Sequence, residues 1–194
     1  ELTLMITSIA QRDAIQLARQ VLQQRPVYLD TETTGLDKTA EIIEISIIDT
    51  DGSTLVDTLV RPSLPIPQDA SRINHITSEM VQKAQPWPFL WNNIKPSLNN
   101  RVVVIYNADF DIRMLKQTHD RYKMRWDFTG RAFDLMSLYA KFNGDWDPNR
   151  RTYRNISLEN AGKHCQIPLP NAHRALADTL LTRALLEYLA NIEM

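Results

Sequence analysis

Apolar residues recur at helical spacing through Ala14, Leu17, Ala18, Val21 and Leu22 and stop at Pro26, with Ser8 and Gln11 ahead of them in capping-box register. The pattern predicts an amphipathic helix before the first strand. Val27–Asp30 is a short β-prone apolar run, Ile42–Ile48 a second in which Glu44 and Ser46 alternate with isoleucines, and Thr54–Val60 a third behind the turn signal Asp51-Gly52. Three early strands in a meander are expected. Pro62, Pro65 and Pro67 predict an extended, irregular stretch, after which Thr77 or Ser78 caps a short helix through Val81; Pro86 and Pro88 punctuate the chain again before Phe89–Ile94.

Val102–Tyr106 is continuously apolar, the pattern of a strand covered on both faces, and Asp109–Thr118 carries Phe110, Met114 and Leu115 at helical spacing. A central strand thus feeds a helix. Ala132–Leu135 reads as a last short strand, Ser157–Cys165 as a helix, and Ala175–Leu189 as a longer helix with Leu176, Leu180, Leu186 and Leu189. Strands first, then alternating strand and helix, predict an α/β fold with a mixed sheet flanked by helices.

At 194 residues one compact unit is expected, and 43% hydrophobic with 23% charged residues excludes a disordered or low-complexity chain. Twenty-two Lys plus Arg against 23 Asp plus Glu exclude a strongly basic nucleic-acid coat but leave room for a local basic groove. Cys165 is the single cysteine, so no intrachain disulfide forms and a Cys-rich zinc site is impossible. No apolar run approaches the ~18 residues of a membrane span, and no targeting segment is read. No membrane partner and a cytoplasmic location are expected.

The chemistry concentrates in three acidic segments. In Asp30-Thr31-Glu32-Thr33-Thr34-Gly35 two carboxylates stand two residues apart at a strand end, and the strand period of two sends both to one side. Two carboxylates about 4 Å apart repel by about 4 kcal/mol at an effective dielectric of 20, which a divalent cation reverses. Solvated turn charges are the plainer alternative. Asn107-Ala108-Asp109-Phe110-Asp111 begins where the apolar strand ends; Asn107 and Asp109 are favoured cap types, which leaves Asp111 as the third candidate ligand. His173-Arg174-Ala175-Leu176-Ala177-Asp178 adds a pair whose five-residue separation is roughly 140° on an ideal helix. His173 therefore belongs on the entry loop and Asp178 on the helix.

Taken in this order, the three segments resemble the motifs of the DEDDh family of 3′–5′ exonucleases, of the type of the proofreading epsilon subunit of bacterial DNA polymerase III. The resemblance spans Val27 to about Leu189, with smaller agreements at Glu41–Ile45, Ile73–Thr77 and Ser157–Asn160. It implies a ribonuclease H-like mixed sheet of about five strands, with residues 1–26 as an added N-terminal helical extension and 27–194 as a single exonuclease domain. It also implies two divalent cations, Mg²⁺ or Mn²⁺, and hydrolytic release of nucleoside monophosphates from the 3′ end of DNA or RNA. Carried over, Asp30 bridges both ions, Glu32 and Asp178 help hold the one that activates water, Asp111 supports the other, and His173 is the general base. Tyr106 departs from the family, many of whose members have His before the Asn-Ala pair.

The same resemblance places Thr33, Leu36, His75, Asn107 and Phe110 around a single-stranded or 3′-terminal nucleic acid, with Leu36 and Phe110 against the terminal base. Core packing for Phe110 and Leu36, and a backbone-bonded loop role for His75, are the competing readings. Two basic clusters, Arg121, Lys123, Arg125 and Arg131 with Tyr122 and Trp126, and Arg150, Arg151 and Arg154 with Trp146 and Tyr153, are candidates to track phosphates or plain solvated faces. A polymerase partner is possible but not evident. Two other functions compete: a metal-dependent phosphomonoesterase using Asp30 as nucleophile, which leaves His173 and Asp178 idle, and a catalytically silent nucleic-acid-binding scaffold, which predicts a lost ligand where none is lost.

Overall fold

The computed structural model describes residues 8–168 and 174–193. Helix α1 (Ile9–Gln23) opens on the expected capping box, with the Ser8 hydroxyl accepting from Gln11 N–H and the Gln11 side chain returning to Ser8 N–H. Strands β1 (Val27–Thr33), β2 (Ile42–Ile48) and β3 (Thr54–Leu59) form the antiparallel meander. Strands β4 (Val102–Ile105) and β5 (Arg131–Asp134) add on parallel, giving the five-stranded order β3-β2-β1-β4-β5. The mixed sheet flanked by helices is as expected.

β1 runs to Thr33, three residues beyond its apolar run, so Asp30 and Glu32 both lie within the ladder, opposite Ser46 and Glu44 of β2. Every residue of β2 is buried, because helices cover both faces of the sheet. On one face Tyr28 and Val104 pack with Ala14, Ile15 and Ala18 of α1, with Leu138 and Tyr139 of α6 (Leu135–Asn143), and with Leu185, Leu186 and Leu189 of α8 (Ala175–Asn191). On the other, Leu29, Ile45 and Ile47 meet Trp87 and Trp91 of α4 (Trp87–Ile94) and Met114 and Leu115 of α5 (Ala108–Arg121).

The structure corrects the sequence reading in the connections. The stretch after Pro67 is not wholly irregular: α2 (Gln68–Asn74) starts there, because an extended proline suits the residue before a helix. α3 (Ser78–Val81) is capped by Thr77 as predicted. Helix α4 begins at Trp87, before Phe89, since Pro88 in a first turn sacrifices no intrahelical hydrogen bond. Helix α6 was legible but unread: Leu135, Leu138, Tyr139 and Phe142 are buried at helical spacing, and Gly144 ends it at φ 78°. A small hairpin, β6 (Trp146–Asp147) and β7 (Thr152–Tyr153), precedes α7 (Leu158–His164), which Ser157 caps.

Helix α1 is an integral part of the core. Ala14, Ile15 and Ala18 are fully buried, and the Arg19 guanidinium donates to the carbonyls of Ala190 and Ile192, tying α1 to the end of α8. Ile15→Ala should therefore cost about 2–5 kcal/mol. Urea denaturation reads this as a lower midpoint at unchanged slope; a shift below about 0.5 kcal/mol would show that α1 is dispensable to the core.

Candidate active site

Three elements deliver acids to one end of the sheet. Tyr28, Asp30 and Glu32 alternate to the α8 side of β1, so the two carboxylates converge as strand geometry requires. Asp178 comes from the first turn of α8, and single oxygens of Asp30, Glu32 and Asp178 lie within 4.8 Å of one another. Asp111 enters from the opposite side, near the start of α5; it is buried and accepts a 2.7 Å hydrogen bond from the Thr31 hydroxyl. Thr31 thus fixes the fourth acid from the residue between the first two.

Burial and mutual repulsion push these groups toward protonation. The Glu32 carboxyl rises to about 8, through desolvation first and then the charges of Asp178, Glu44 and Asp111. Asp111 rises to about 7, chiefly from desolvation, against the opposing hydrogen bond of Thr31. Asp30 is raised well above the carboxylate range by burial and by its neighbours Asp111, Asp178, Glu32 and Glu44. An all-oxygen donor set held this close, and this costly to ionise alone, fits a hard divalent cation such as Mg²⁺ or Mn²⁺. His173 lies outside the described residues.

Beside Glu32 opens a cavity of about 500 Å³, lined among others by Thr33, Gly35, Leu36, Ile73, Asn74 and Phe110. Leu36 is 76% exposed at its mouth, an arrangement no core role explains. Phe110 contributes to the core and to the cavity at once, and the Arg113 guanidinium lies 5.3 Å from its ring centroid while donating to the Leu36 carbonyl. Thr33 donates its hydroxyl to Gly35 O. His75 closes α2 in a left-handed conformation, exposed and outside the cavity lining, whereas Asn74 beside it is buried, lines the cavity and donates to Thr33 O.

Asn107 precedes α5 at φ 71° without a side-chain cap bond; the Asp134 carboxylate caps that helix instead, accepting from Asn107 N–H and Ala108 N–H. Asp134 also caps α6 through Met136 N–H and Ser137 N–H. Thr31, Asn74, Asp134, Glu44 and Arg174 escaped the sequence reading of the site. For Glu44 a signal existed, since it breaks an isoleucine run at the register opposite Glu32.

The basic clusters divide. Half-buried Trp126 stacks on Trp91 and meets His119 edge-on, and Arg121 and Arg131 bond Ser63 and Gln24. In the β6–β7 hairpin, Trp146 packs edge-on against Tyr153 while Arg154 pairs with Asp145 and Asp147.

A family model described as Exonuclease (RNase_T) matches residues 27–186. The uncharacterized exonuclease CP81 of Escherichia phage 186 is 37% identical over 190 residues, covering 94% of this chain and 97% of its own. The DNA polymerase III subunit epsilon of Treponema pallidum is 36% identical over 154 residues, 77% of this chain and 68% of its own. Among solved structures, exonuclease X in complex with 5′ overhanging duplex DNA superimposes with a TM-score of 0.64 at 27% identity, over 85% of this chain and 90% of that one. With the sheet and the acid cluster in agreement, the chain belongs to the RNase_T exonuclease family, as a 3′–5′ exonuclease.

Proposed function

We propose that the protein removes nucleoside monophosphates one at a time from the 3′ end of DNA, using two divalent cations, Mg²⁺ or Mn²⁺, and His173 as general base. The observation that carries this reading is the convergence of the Asp30, Glu32 and Asp178 oxygens within 4.8 Å beside the cavity of Leu36 and Phe110. DNA is favoured because the epsilon subunit of DNA polymerase III, 36% identical, and exonuclease X in complex with duplex DNA, 27% identical, are named for DNA, whereas the neighbours titled for histone mRNA and for rAMP share only 15% and 16% identity.

Asp30 would help hold both cations, Glu32 and Asp178 one of them and Asp111 the other. When bound, the cations supply charge neutralisation for the attacking and leaving oxygens of an in-line displacement. Leu36 and Phe110 hold the terminal base by apolar contact and stacking, which is tolerant of sequence. Thr33 and Asn107 border the terminal nucleotide, and His75 stands outside the cavity as a contact to the strand beyond it. The His173 imidazole takes the proton of the attacking water, a task suited to a side chain that titrates near neutrality. A second groove of about 780 Å³ on α5 continues from the same β1–β2 loop, and its Lys38, Arg113 and Lys116, set among Asp109, Asp120 and Asp134, are the cations nearest to hand for the phosphates behind the terminal nucleotide.

A 5′-labelled linear DNA strand should shorten as a ladder while a circular strand stays intact, and a matched RNA should be degraded more slowly. Equal cutting of the circle would refute the end-specific pocket. His173→Ala should lose about 10²–10⁴ in rate and keep Mn²⁺ binding, whereas Asp178→Ala should lose both; calorimetric titration beside single-turnover cleavage separates the two roles.

The acids also set a pH dependence. The folded, metal-free protein retains protons on Glu32 up to about pH 8 and on Asp111 up to about pH 7, where the unfolded chain has released them above about pH 4–5. Unfolding therefore releases protons in this window, so stability falls as pH rises from about 5 to about 8. Thermal melts without metal should show that decline, Mn²⁺ should reverse it increasingly toward pH 8, and Asp30→Asn should flatten the curve while abolishing turnover. A pH-independent melting temperature with Mn²⁺ absent would remove the acid cluster as its cause.

A further inference from the structure

Glu44 is a fifth carboxylate at the site, outside the three acidic motifs and without a role among the acids assigned to the cations. It stands opposite Glu32 across the antiparallel ladder, on the same side of the sheet, with a side chain only 3% exposed. Two carboxylates facing each other in that register, Glu44 buried and Glu32 half-buried, are destabilising when both are ionised unless something answers their charge. The answer is Arg174, whose Nε lies 3.0 and 3.1 Å from the two oxygens of Glu44 and whose Nη2 also donates to Oε1, a two-nitrogen engagement of one carboxylate.

The same carboxylate makes a third kind of contact. Ala175 N–H, the first of α8, donates to Glu44 Oε2 at 2.9 Å, and Arg174 at the N-cap makes no side-chain cap bond of its own. Glu44 thus caps α8 from a strand 130 residues away, satisfying one of the donors that a helix start leaves without an intrahelical partner. One turn on, Asp178 N–H bonds to Arg174 O, so the residue gripped by Glu44 is also the one that receives the backbone of the acid in the cluster.

We propose that the Glu44–Arg174 pair is a positioning clamp that seats the start of α8 on β2, sets the Asp178 carboxylate against Asp30 and Glu32, and thereby governs the divalent-cation affinity of the site. The clamp rests on the metal-dependent reading above. Neither side chain is a ligand in it: Arg174 is a cation, and Glu44 is spent on Arg174 and Ala175 N–H. The charge of Arg174 also opposes the rise of the Glu32 carboxyl that the surrounding acids cause. Arg174 remains 44% exposed, so its replacement removes little packed volume, and its effect is expected at the site before it is felt in the fold.

The test uses the intact protein with Arg174→Ala, Arg174→Lys, Glu44→Gln and the double variant Glu44→Gln/Arg174→Ala, and Asp30→Asn as the reference for the metal site itself. Residues that orient metal ligands typically cost about 10–100-fold in metal affinity or activity when changed. Arg174→Ala is expected to weaken Mn²⁺ binding by calorimetry about tenfold or more and to raise the half-saturating Mg²⁺ concentration equally, with KM for a 5′-labelled oligonucleotide within twofold at saturating metal. Arg174→Lys should recover only part, because a lysine lacks the planar fork. The double variant should lose no more than the worse single change. Wild-type Mn²⁺ affinity in folded Arg174→Ala, or losses that multiply in the double variant, would overturn the clamp. If Arg174→Ala fails to fold, the same affinity measured on Glu44→Gln and on the charge-balanced double variant decides. Should Asp30→Asn also keep Mn²⁺ binding and turnover, the metal reading itself fails, and that result is distinct from failure of the clamp alone.

Discussion

Repulsion among acids at the end of β1 is the constraint around which the rest of the molecule is arranged. Asp30 and Glu32 share a side of one strand, Glu44 faces Glu32 from the next, and Asp178 and Asp111 arrive from helices on either face of the sheet. Two ionised carboxylates about 4 Å apart repel by about 4 kcal/mol at an effective dielectric of 20, a cost that protonation or a divalent cation relieves. Such a cluster persists only if the scaffold is rigid. β1 lies inside the sheet, hydrogen-bonded to β2 and β4, and the buried isoleucines of β2 lock its register. A slip of one residue would carry the acids to the wrong face together with the isoleucines, so the apolar layer that holds the fold also holds the charges together.

Fold and site were legible to different depths, and the reason is the range of the interactions. The early strands and α1 with its capping box are local patterns, and the structure reproduces them; of the acidic motifs it brings Asp30, Glu32 and Asp178 together. Helix α2 was masked by three prolines whose effect on φ is also compatible with a helix start, and α6 was overlooked though Leu135, Leu138, Tyr139 and Phe142 carried its period. The supports of the site were invisible for another reason. Thr31 to Asp111 spans 80 residues and Arg174 to Glu44 spans 130, and no spacing rule links residues that far apart. Leu36 and Phe110 were ambiguous between core and substrate until the cavity showed that Phe110 belongs to both.

The two helices that deliver acids do so with their N-termini, and this is the last consequence of the same constraint. A helix start carries partial positive charge and free N–H donors, which favour nearby carboxylates. Asp111 lies in the opening turn of α5 and Asp178 in that of α8, each where its helix best tolerates a negative charge. Neither helix caps itself with the side chain at its own N-cap. α5 borrows Asp134 from the end of β5, and α8 borrows Glu44 from β2. Capping by residues of the sheet makes the position of each helix start a property of the sheet, so the acids on α5 and α8 are referenced to the same rigid body as those on β1. Self-capping would satisfy the same donors yet leave each helix free to shift against the strands, and a cluster of mutually repelling carboxylates would drive that shift apart.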